Sequence, residues 1–225
     1  MSLAGGSFAT VIWYLIERAC FSAGSSAVHL DEAMLTLDQD INTKFGGSID
    51  GKGGFTKDGT GIIELSGSNS YEGLSLIENG SVLQTGQGAI SANSVYSVSN
   101  PARIDLGGLS STMAGLTNAG TVRFGGMKAG AALDVSGDYH GQGGTLVMNT
   151  VLSNDHSTTD QLVISGSTDG DTKLQIVNRD GLGAQTVDGI TLVDIAGQSD
   201  GTFELAKGDF VTRDGEQAVI GGAYA

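Results

Sequence analysis

An all-β chain wound as a right-handed parallel β-helix, a solenoid, is the fold this sequence predicts, on three observations. Short runs alternate apolar and polar side chains, as in Ile62-Ile63-Glu64-Leu65 and Thr145-Leu146-Val147-Met148-Asn149, which is the period of a half-buried strand. Between the runs stand Gly, Asn, Asp and Ser; with 37 glycines and one proline in 225 residues, the glycines punctuate strands rather than fill a disordered linker. The runs are too short for a sheet of wide hairpins, yet each has an apolar face that stacking on a neighbouring turn of chain buries. Coils pairing at about 4.8 Å, with about 20–25 residues each, make roughly 8–10 coils and a rod about 40–50 Å long.

Three stretches follow in order. Residues 1–25 contain the apolar run Phe8 to Ile16 (FATVIWYLI), with the one Trp. It is shorter than the about 20 residues of a membrane span, and no basic residue precedes it as a signal peptide requires. It reads either as a short helix that caps the stack or packs on a neighbouring molecule, or as a segment foreign to the native protein. Residues 26–136 are regular coils, clearest in Gly53-Gly54-Phe55-Thr56-Lys57-Asp58-Gly59 through Ile62-Ile63-Glu64-Leu65-Ser66-Gly67-Ser68-Asn69-Ser70-Tyr71. Residues 137–225 form a final block with longer, more acidic connections at Ser153 to Asp160 and Val177 to Asp188. Its strands Lys173 to Val177 and Ile190 to Val193 read as near-hairpins, and a divergent block of this kind covers the open backbone edge of the last coil.

Parity assigns the interior. Ile63 and Leu65, Ile104 and Leu106, Val122 and Phe124, Leu133 and Val135, and Leu146 and Met148 point inward, which leaves Glu64, Asp105, Arg123, Asp134 and Val147 outside. Asp105 and Arg123 hold matching places in ARIDLGG and TVRFGG, so adjacent coils bring them together. Such an exposed pair contributes about 0.2–1 kcal/mol, enough to favour a register but not to hold the fold.

Charge and cysteine usage narrow the partners. Eleven basic and 25 acidic residues give a net charge of −14, which opposes nucleic acid and anionic membrane surfaces. Cys20 is the single cysteine, so the chain has no internal disulfide framework.

The stretch Gly137 to Gly166, GDYHGQGGTLVMNTVLSNDHSTTDQLVISG, resembles the C-terminal passenger region of pertactin-like autotransporters, the surface proteins that Gram-negative bacteria export by type V secretion. The unit from Gly53 to Tyr71 is similar to the repeat of those passengers, and the resemblance runs from about Gly47 to Ala225. It implies a stalk and folding (autochaperone) module without cofactor, secreted through periplasm and outer membrane to the cell surface. It also implies a C-terminal membrane β-barrel as partner and an upstream adhesin or virulence region. The folding core it implies is Leu146, Met148, Leu162, Ile164, Leu174, Ile176, Leu192, Phe203 and Leu205. Direct adhesion to a host or matrix ligand is the alternative, and a polysaccharide-active β-helix enzyme ranks below it. The sequence sets no oligomeric state.

Apparent chemical motifs have plainer readings. Gly197-Gln198-Ser199-Asp200-Gly201 matches G-x-S-x-G, but a strand-like run follows it and no His comes later, so a turn is expected. Asp38-x-Asp40-x-Asn42 starts like a calcium loop and then has Thr43 and Ile49 where Gly and Glu belong. His29, His140 and His156 lack ligand spacing, and no metal site is expected. Tyr71, Tyr96 and Tyr139 suit either a ligand contact or packing over a coil edge. An enzyme would need an acid–base cluster, for which Asp105, Arg123 and Asp134 are the weak candidates.

Overall fold

The computed structural model describes residues 27–206, together with the backbone of flanking strands at Ser2–Leu3, Thr10–Ile12, Phe210–Arg213 and Glu216–Val219. In chain order the strands are β1 (Ser2–Leu3), β2 (Thr10–Ile12), β3 (Ala27–Leu30), β4 (Met34–Asp38), β5 (Thr43–Phe45), β6 (Ser48–Gly51), β7 (Gly54–Asp58) and β8 (Ile62–Leu65). Next come β9 (Ser75–Ile77), β10 (Ser81–Gln84), β11 (Val95–Val98), β12 (Arg103–Asp105), β13 (Ser111–Met113), β14 (Gly115–Asn118), β15 (Thr121–Arg123) and β16 (Ala132–Val135). The last are β17 (Tyr139–Thr150), β18 (Gln161–Ile164), β19 (Thr168–Asn178), β20 (Val193–Ile195), β21 (Thr202–Leu205), β22 (Phe210–Arg213) and β23 (Glu216–Val219).

Each strand from β1 to β21 pairs in parallel with the strand one coil away, and three walls result. The first carries β1, β3 and β6, then β13, β16, β18 and β20; the second runs from β2 through β4, β7, β9, β11 and β14 to β17. The third runs from β5 through β8, β10, β12 and β15 to the second half of β17, and β19 continues both. This is a parallel β-helix, as the alternation and the short strands require.

Its interior is a stack of like side chains. On the third wall Ile63 pairs with Val82, Val82 with Ile104, Ile104 with Val122, Val122 with Leu146 and Leu146 with Leu174, all of them buried. Each such side chain contributes about 1.5–3 kcal/mol of burial, and only the next coil can supply it. All five inward pairs read from parity are buried, and Arg123 meets Asp105 across adjacent strands at 3.3 Å.

Where the first wall lacks strands, side chains reinforce backbone bonds between coils such as those from the Asn69 and Ser70 N–H groups to the Gly88 and Ile49 carbonyls, both at 2.8 Å. Asn69 accepts from the Ile49 N–H at 2.8 Å and donates to the Ala89 carbonyl at 2.6 Å, so it ties three coils together. Tyr71, Tyr96 and Tyr139 are sealed inside rather than offered to a ligand, and the Tyr71 hydroxyl meets Ser75 and Tyr96.

Two expectations change. The strands read as near-hairpins are parallel: Leu174 of β19 pairs with Leu146, and the chain after Ile190 enters β20, which pairs in parallel with β18. The added residues lengthen the corners instead of reversing the chain. Among the described strands, β22 and β23 pair antiparallel. Of the N-terminal run expected to be helical, Thr10–Ile12 is a strand parallel to β4, and the rest lies outside the described residues.

The step between coils grows toward the C-terminus. Leu35, Phe55, Ser75, Tyr96 and Leu116 follow one another on the second wall 20 or 21 residues apart, whereas Tyr139 pairs with Thr168, 29 residues on. In β17 the register shifts between Gln142 and Gly144, and the extra residue, Gly143, has φ +76°. A bulge with glycine in that conformation bends a strand sharply, which is how one strand of 12 residues turns from the second wall to the third. Gly144 beside it has no room for a side chain, since a Cβ there would lie 2.6 Å from Asn118.

Candidate functional site

Three polar residues of the C-terminal block, Asn149, Asp160 and Arg179, converge on the corner between the third wall and the first. Asp160 precedes Leu162 and Ile164 by two and four residues, so it shares their inward parity and is fully buried. Its Oδ1 accepts the N–H groups of Gly130 and Ala131 at 2.9 and 3.0 Å. Its Oδ2 accepts the backbone N–H and side-chain Nδ2 of Asn149 at 2.7 and 2.9 Å. Four donors on one carboxylate replace the water it lost on burial.

Asn149 extends the network in both directions along the rod. Its Nδ2 donates to the Gly125 carbonyl at 2.6 Å, and its Oδ1 accepts from Arg179 Nε at 2.7 Å. The guanidinium also donates from Nη2 to Gly126 at 3.0 Å, and the backbone N–H of Arg179 donates to Thr150 at 2.8 Å. Residues 125–131, 149–160 and 178–189 are the corners of three successive coils, and this clamp joins all three.

The loops outside the clamp are also clasped. Thr150 and Thr159 share a hydroxyl hydrogen bond of 2.7 Å, and Val151 donates to Thr158 at 2.8 Å. Asp155 accepts three consecutive N–H groups of the next loop, from Val187, Asp188 and Gly189, at 2.9, 2.7 and 2.8 Å. Partial desolvation raises the Asp155 pKa, but those N–H donors outweigh it and hold the carboxyl below its ordinary value.

The residues expected to form the folding core line the interior beneath this corner. Leu146, Met148, Leu162, Ile164 and Leu174 are buried, while Ile176, Leu192, Phe203 and Leu205 are partly buried and pack against them. Sequence reasoning missed Asn149, Asp160 and Arg179. Parity was the signal for Asp160; nothing local marks Arg179, which reaches Asn149 one coil back and Gly126 two coils back.

Other motifs resolve into fold chemistry. Gly197 to Gly201 is the turn before β21, with Gly197 and Asp200 donating to Gly166 and Thr168 of the previous coil. Asp40 accepts from Thr60, and Asn42 from Ile62, so the calcium-like run is an inter-coil ladder. Asp105 and Arg123 lie on the third wall and Asp134 on the first, so no acid–base trio assembles. Among the described residues no group of His, Cys, Asp and Glu gathers that could hold a metal. His29 bonds Asp31 and Asp50, and His140 bonds Asp169 at 2.8 Å, each on an exposed wall.

A parallel solenoid whose coils lengthen into a polar-clamped terminal block defines a class, the repeat proteins built of stacked coils. The family Autochaperone Domain Type 1 matches residues 111–224, and the chain belongs to the autotransporter passengers that carry this domain. It is 37% identical over 225 residues to the adhesin BmaC autotransporter of Brucella suis biovar 1 (strain 1330), an alignment that covers 99% of this chain and 6% of that protein. It is 39% identical over 97 residues to the autotransporter adhesin AIDA-I of Escherichia coli, covering 43% of this chain and 7% of that one. The probable autotransporter YfaL of Escherichia coli (strain K12) is 40% identical over 102 residues, covering 43% and 8%. The chain thus spans less than a tenth of the length of these relatives. The alignment with BmaC takes in the residues before Gly47, which the repeat resemblance did not reach. Passengers of this family are exported through the outer membrane to the cell surface.

Proposed function

We propose that this chain is the stalk and folding module of its passenger. Its C-terminal block orders first as it leaves the outer membrane, templates the coil above, and presents an upstream adhesive region. The observation that carries this reading is the clamp of Asp160, Asn149 and Arg179, which fixes three coils before any upstream coil has to exist. Each later coil gains apolar burial only against a coil already formed, so a block with its own polar fastening supplies the nucleus that stacking alone lacks.

A non-enzymatic role accords with the separation of Asp105 and Arg123 from Asp134 and with relatives described as adhesins and autotransporters. The partner on this reading is the protein's own membrane β-barrel. The test is Asp160→Ala, with Leu162→Asp beside it, in the full-length parent. The expected result is loss of protease-resistant passenger at the surface while the barrel still inserts. Undiminished display of a resistant passenger by both variants overturns the reading.

A further inference from the structure

The third wall carries a groove of which the folding role uses Arg179 alone. It is lined by Arg103, Thr121, Arg123, Thr145, Val147, Gln175, Val177 and Arg179 and encloses about 430 Å³. Three guanidinium groups and no carboxylate line it, on a chain of net charge −14 with 11 basic residues in all. Register explains the grouping. Arg103 of β12, Thr121 of β15 and Thr145 of β17 form one outward column, with Arg123, Val147 and Gln175 in the next.

The three arginines differ in what the protein already asks of them. Arg179 is held by Asn149 and Gly126, and Arg123 is held on one side by Asp105 at 3.3 Å. Arg103 is exposed and, among the described residues, its guanidinium has no ion-pair or hydrogen-bond partner. The carboxylates that adjoin the groove by register are Asp105 and, at the far rim beside Lys173, Glu204.

We propose that this groove binds an extended acidic polysaccharide, with sulfate or uronate groups on the arginines and sugar hydroxyls on Thr121, Thr145 and Gln175. From the strand of Arg103 to the strand that leads into Arg179 is three strand spacings, about 14 Å, so the cations suit repeated anions along a chain rather than one small ion. Guanidinium forks match sulfate and carboxylate in pairs of hydrogen bonds. An acidic protein partner would need an apolar anchor, and the groove offers only Val147 and Val177. The net negative charge opposes binding less than its size suggests. At physiological ionic strength charges beyond about 8 Å are screened, while those in contact are not.

The test uses the 225-residue chain with heparan sulfate, polygalacturonate, neutral dextran and poly-glutamate as probes. Binding of at least one acidic glycan, weakened by added salt, is expected, with dextran inert and poly-glutamate at least tenfold weaker. Arg103→Ser should weaken glycan binding about 3–10-fold, and Thr145→Glu, which places a carboxylate in the groove, more than tenfold, with unchanged melting temperature. Lys44→Ser, a cation on the same wall outside the groove, should leave binding as it is. Failure of both acidic glycans to bind, equal binding by poly-glutamate, or binding indifferent to both groove variants overturns the proposal.

Discussion

The coils from β3 to β16 and the block from β17 to β21 are built on the same three walls but fastened by different means. In the first region the step from coil to coil is about constant, and the fastening is a column of apolar side chains with Asn69, Asp40 and Asn42 bridging neighbours. In the second the step lengthens to 28–31 residues. The corners become loops, and a buried carboxylate, an amide and a guanidinium stitch them. Stacking distributes stability evenly along a rod; a polar clamp concentrates it at one place and demands every partner at once.

That contrast can be broken at several points, beginning with the most damaging. Leu146→Asp puts an unpaired charge into the shared apolar column and should cost about 5 kcal/mol, read as a loss of cooperative urea unfolding across both regions. Asp160→Ala takes the acceptor from three backbone N–H groups, those of Ala131 and Asn149 buried and that of Gly130 exposed. It should cost about 3–5 kcal/mol and loosen residues 125–189 in hydrogen exchange before the regular coils. If exchange instead rises uniformly, the clamp is no local fastening. Ile104→Val, in the regular coils, removes one methylene and should cost about 0.5–1.5 kcal/mol by denaturation midpoint. Arg123→Ala removes a half-exposed pair and should cost at most about 1 kcal/mol, less at high salt.

The two regions also answer pH in opposite senses. His29, raised chiefly by its hydrogen bond to Asp50 against some desolvation, stabilises the regular coils fully below its unfolded value of 6.5. That contribution is lost as pH rises through the higher folded value. Asp155 is lowered, so its clasp is fully present above its unfolded value of 3.8 and is lost as pH falls through the lower folded one. Protection of the Val187 to Gly189 amides, relative to their intrinsic exchange rate at each pH, should therefore fall on acidification, whereas protection near Asp50 should fall on the alkaline side.

Strand periodicity made the walls legible. A side chain two residues from a buried one in the same extended run faces the same way, and Ile104 beside Leu106, Val122 beside Phe124 and Met148 beside Leu146 are all buried. The same rule applied to polar residues would have found Asp160, and also Lys57, which lies two residues after Phe55, is wholly buried, and donates to the carbonyls of Asp58 and Gly59. The habit of placing charges outside hid both. Arg179 was illegible for another reason: its partners Asn149 and Gly126 lie 30 and 53 residues back, and only the lengthened corners decide that they meet. Long acidic connections suggested chain reversal, because loop composition alone does not distinguish a hairpin from a wide corner.

The seam of three stitched corners gives the rod a direction under load. Pulled from its far tip, each lap held by oily stacking alone can peel separately. A force that reaches Asn149 and Asp160 must rupture a knot of short polar bonds together. A single-molecule stretching trace of this chain should then show a train of small, similar yields followed by one taller peak.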